Sequence, residues 1–147
     1  MNLVQVYKRK SRSALIMLES SKEKEEDEWI LETSYYAKYF IVYSLFMKCG
    51  IKSEIHDCTI FALNSIFTDS GIVSKEIYDD LSNSRELRVG SLYYDKDFGK
   101  EKIIESANTA PNFCLKIESI IDKLSKEDII KIRKKFEEVK NSLVNQI

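Results

Sequence analysis

Apolar positions recur every three to four residues through almost the whole chain, a period that predicts helices and no strands. The strongest segment is WILETSYYAKYFIVYSLFM, from Trp29 to Met47. Trp29, Tyr36, Phe40, Tyr43 and Met47 form one helical stripe, and Tyr35, Tyr39, Val42 and Phe46 form the stripe beside it. A helix that is apolar on nearly every side belongs in the middle of a bundle. This central helix is expected over about residues 27–48, ended by Gly50 in a left-handed conformation.

The flanking pattern completes the set. A first helix is predicted from Val4 to about Lys24, with a loose stripe of Val6, Leu15 and Leu18, followed by the polar joint SKEKEEDE. Ser53 is the expected cap of a third helix reaching about Phe67, which places His56 in its first turn. A fourth is expected from Ser74 to about Leu92, with Ile77, Leu81, Arg88 and Leu92 on one stripe and Arg85 close by. The fifth covers about Lys100 to Lys123 and contains Pro111, which predicts a kink or break near Asn108. Ser125–Asp128 reads as a capping box opening a last helix to about Val144, with Ile129, Ile132, Phe136, Val139 and Leu143 inward. The expectation is an all-α, up-and-down bundle of five to six helices in one domain over 1–147, with 125–147 as an extra C-terminal helix.

Composition agrees. At 147 residues, with 44% hydrophobic and 32% charged, the chain fits one globular domain with a modest core. Four glycines and one proline leave little turn chemistry, so long helices with short joins are expected. Twenty-three basic residues against 24 acidic ones lack the basic excess of a dedicated groove-tracking nucleic-acid binder, although local patches could still hold RNA or a nucleotide. Cys49, Cys58 and Cys114 are odd in number and lie in apolar-patterned segments, which suggests buried, reduced thiols in the cytoplasm. MNLVQVYKRKSR has no secretory apolar core, and the run from Tyr35 to Met47 is too short for a bilayer. The aromatic content points to core packing plus contact between two copies, a homodimer.

Candidate chemistry centres on His56, the only histidine. The positive end of its helix would favour the neutral imidazole. Arg88 is the candidate cation, and Lys52, Ser53, Tyr36, Tyr93 and Tyr94 are candidate ligand contacts. Together these groups could supply a proton-transfer imidazole and an anion-stabilising cation without metal. In the competing structural reading His56 is a capping or packing residue, and Arg88 ties down a helix end through Asp95 or Asp97. Cys49, His56 and Cys58 match no common zinc spacing, no phosphate-binding glycine loop is present, and no cofactor is implied. Asp79 and Asp80 point to different faces and read as surface charge.

SYYAKYFIVYSLFMKCGIKSEIH resembles the signature of small HEPN-domain proteins: a Tyr-Tyr-Ala helix, a glycine turn, and a histidine opening the next helix. RELRVGSLYYD, from Arg85 to Asp95, is similar to the family's second pattern, an arginine followed by a Tyr/Asp pair. The resemblance covers about Val4 to Lys123. It implies a helical bundle that forms homodimers and takes part in nucleotide or RNA transactions, often paired with a minimal nucleotidyltransferase as antitoxin. Several members are metal-independent ribonucleases in which four to six residues separate an arginine from the histidine that follows it. Here those positions are Cys49, Gly50 and Ile51, with Lys48 and Lys52 just outside the window. The expected function is therefore a nucleotide- or RNA-binding module. The alternative is a metal-independent ribonuclease using His56 with Arg88.

Overall fold

The computed structural model describes residues 2–52, 56–93 and 97–144, with side chains for 2–52, 58–91 and 97–143. These residues form six α-helices and no strand: α1 (Leu3–Glu23), α2 (Asp27–Lys48), α3 (His56–Ala62), α4 (Lys75–Tyr93), α5 (Lys100–Lys123) and α6 (Lys126–Val144). A π-helical segment, Leu63–Thr68, continues α3. The third helix thus reaches the expected end, but its second half is wound more widely, which no local periodicity signals.

Local chemistry explains most ends. Asn2 Oδ1 accepts the N–H groups of Val4 and Gln5 at 3.1 and 3.4 Å and starts α1. Ser125 and Asp128 exchange side-chain-to-backbone bonds at 3.1 Å each, the expected capping box of α6. Gly50, at φ 71°, ends α2. Pro111 does not break α5, which runs unbroken through it. The proline is exposed, while Ala107, Ala110, Phe113, Cys114 and Ile117 bury the other side of the helix and hold both halves in place.

Helix α2 is central and packs on α1, α4 and α5. Polar side chains register its antiparallel neighbour α1: Ser44 Oγ donates to Val4 O and Ser11 Oγ to Ala37 O, both at 2.8 Å. Tyr35, Ile41, Val42, Leu45 and Phe46 are all at most 1% exposed, and Phe46 stacks on Phe67 at 5.1 Å. Trp29, however, is 61% exposed, so the stripe it belongs to leaves the core at its N-terminal end. Leu115 and Leu143 are likewise exposed despite their place in apolar patterns.

Candidate functional site

Helices α2 and α4 run antiparallel, which brings Arg88 onto the tyrosine pair of α2. Its guanidinium carbon lies 5.1 Å from the Tyr35 ring centre and 5.0 Å from that of Tyr36, within cation–π range. Nε donates to Glu32 at 2.9 Å and Nη2 to the Tyr36 hydroxyl at 3.3 Å. Burial works against the guanidinium charge, but the Glu32 hydrogen bond and carboxylate outweigh it, so the pKa rises above its ordinary value. Tyr35 is fully buried and its phenol is pushed far up by that burial, with Arg88 opposing. Arg88 is therefore a permanent cation, already paired.

The other expected site residues divide. His56 is the first residue of α3 and Tyr93 the last of α4, but their side chains lie outside the described residues, as do Ser53, Tyr94 and Asp95. The His56–Arg88 pairing accordingly falls outside what the structure describes. Lys52 is exposed beyond Gly50. Asp97 accepts the Gly99 N–H at 3.0 Å, and the helix tie expected of Arg88 goes to Glu32 on α2.

From Arg88 a ladder of half-buried rings continues along the α1–α2 seam. Tyr36 lies 5.3 Å from Phe40, and Phe40 lies 6.1 Å from Tyr7 on α1, each pair tilted by 35°. Lys10, exposed, places Nζ 5.0 Å from the Tyr7 ring centre and 5.7 Å from that of Phe40. An aromatic strip edged by cations has the composition of a base-stacking surface.

A second feature lies on the opposite side of α2. Lys38 is 0% exposed, and its ammonium donates to Asp80 Oδ1 at 2.7 Å, Ser84 Oγ at 2.7 Å, Ser106 O at 3.0 Å and Thr109 Oγ1 at 3.0 Å. Burial lowers the lysine pKa, and the Asp80 charge opposes that fall. Asp80 is thus no free surface charge, contrary to the sequence expectation: α4 turns it toward the one cation that α2 buries. The cluster floors a cleft of about 780 Å³ between α4 and α5. Glu76, Asp79, Glu86 and Glu105 line it against Lys102 and Lys116, so its field disfavours phosphates.

Cys49 and Cys114 are buried and free, and burial pushes their thiols up to about 12 and about 11. Cys58 is exposed, which corrects the expectation of three buried thiols: it lies on the outward side of α3. No cluster of three or more His, Cys, Asp or Glu suited to a metal occurs among the described residues. None of their helices is long and apolar enough to cross a membrane.

No protein-family model and no curated protein matches the chain. Sequence reasoning found Arg88 and Tyr36 but missed Glu32, Lys38, Asp80 and the members of the ladder on α1. A lysine amid the all-round apolar α2 was the available signal for Lys38. Nothing local marked the others, because their partners come from different helices.

Proposed function

We propose that the chain is a nucleotide- or RNA-binding module of the HEPN type, acting in the cytoplasm and binding without cleavage. One observation carries the reading: the two stretches on which the resemblance rests, the Tyr35–Tyr36 pair and Arg88, pack against each other. Arg88 is also held by Glu32 and Tyr36. A catalytic arginine would have to leave that carboxylate to reach a charged phosphorane, which ranks the ribonuclease alternative second. On the resemblance alone, the proposal extends to a homodimer and to a minimal nucleotidyltransferase as its partner in a toxin–antitoxin arrangement.

The test is retention of mixed cellular RNA by the purified protein at low salt in EDTA. The expected result is retention that weakens as salt rises, with RNA lengths unchanged. Retention of neither RNA nor free nucleotides would overturn the proposal. RNA fragments that vanish with His56→Ala would replace it with the ribonuclease.

A further inference from the structure

We infer that the α1–α2 seam is a stacking surface for the unpaired bases of single-stranded RNA, with Lys10 meeting its phosphates. This rests on the RNA-binding function proposed above and assigns it a place. Tyr7, Phe40 and Tyr36 form a continuous run of half-buried rings, with neighbouring centres 6.1 and 5.3 Å apart. Lys10, itself exposed, sits over two of them and sets a cation at the edge of the strip. Two turns before Tyr36, on the same stripe, Trp29 is 61% exposed and extends the surface to a span of about 16 Å along α2. Every base has a π-face, so such a strip takes unpaired bases of any sequence, whereas paired bases keep their faces inside the duplex.

Charge points the same way. From Leu3 to Leu18 the chain holds Lys8, Arg9, Lys10 and Arg12 and no acid. Lys8 and Arg12 are committed to Asp122 and Glu118 on α5. Arg9 and Lys10 are exposed and enter no ion pair among the described residues. The acidic cleft lies between α4 and α5, away from this seam. A second copy on this face would bring the same cations together across a two-fold axis, whereas an RNA backbone neutralises them.

The experiment measures binding of a labelled single-stranded oligoadenylate of about 12 nucleotides and of an RNA duplex of equal length. Fluorescence of Trp29, the only tryptophan, is followed in the same titrations. The single strand is expected to bind more tightly and to quench Trp29. Phe40→Leu, which keeps apolar bulk but removes the ring, should weaken binding about tenfold. Lys10→Gln, at an exposed position where folding is not at stake, should lower the log–log salt slope by about 0.7. Binding by the parent that neither variant alters would overturn this site and leave the proposed function standing. So would equal affinity for duplex, or variants that dissociate a dimer without changing RNA affinity. Absence of any RNA binding by the parent would remove this site, and absence of free-nucleotide binding as well would remove the proposed function.

Discussion

A lysine ammonium with no solvent access survives in this fold because its surroundings replace water almost completely. Lys38 has four acceptors for three N–H donors, and one of them, Asp80, is charged. The two ends of the pair differ in exposure, 0% for the lysine side chain and 25% for the aspartate. Removing Asp80 therefore strands a charge that water cannot reach, while removing Lys38 leaves a carboxylate that the cleft can hydrate. Asp80→Ala is expected to cost about 3–5 kcal/mol in urea unfolding. Lys38→Met should cost clearly less, because its chain fills the same space without a charge. Equal losses would contradict this account of the pair.

Helix ends show how uneven the local signals are. Three of them close with the same pair of backbone bonds around a left-handed residue. After α2, Gly50 donates to Met47 O at 3.1 Å and Ile51 to Phe46 O at 2.9 Å. After the π-helical segment, Gly71 and Ile72 repeat the arrangement on Thr68 and Phe67. After α1, the left-handed position is held by Glu25 at φ 55°, with Glu25 N–H on Lys22 O and Glu26 N–H on Ser21 O. A non-glycine residue there carries strain of about 1 kcal/mol. Glu25→Gly is therefore expected to raise stability by roughly 0.5 kcal/mol, net of the extra freedom glycine gives the unfolded chain. Gly50→Ala, at φ 71°, should lower it by about 1 kcal/mol. Paired thermal melts with opposite signs would support this; a destabilised Glu25→Gly would refute it. The glycine at 50 announced its helix end in the sequence, whereas a glutamate at 25 announces nothing.

For the molecule as a whole, buried thiols tie stability to alkaline pH. Cys49 and Cys114 titrate at about 12 and about 11 when folded and near 9.0 otherwise, because burial disfavours their thiolates. Their contribution is complete below pH 9.0 and is lost as pH rises through those folded values. Tyr35 and Tyr39, also raised by burial, add to the decline at higher pH, while Lys38, lowered by burial, works against it. Cys114→Ala should show a shallower fall of unfolding free energy between pH 9 and 11 than the parent, and identical slopes would exclude this role. How much of this was legible depends on the distance over which each feature is decided. The all-α class, the limits of α2, the glycine stop at Gly50 and the Ser125–Asp128 cap follow from periodicity and capping chemistry within a few residues, and the structure agrees with all of them. Periodicity says which face a residue occupies but not what stands opposite. Only the packing of α1, α4 and α5 on α2 decided that Lys38 would be buried with Asp80, that Arg88 would meet Glu32 rather than Asp97, and that Tyr7 would join Phe40. Each of those partners is supplied by another helix, at a register that no local pattern encodes.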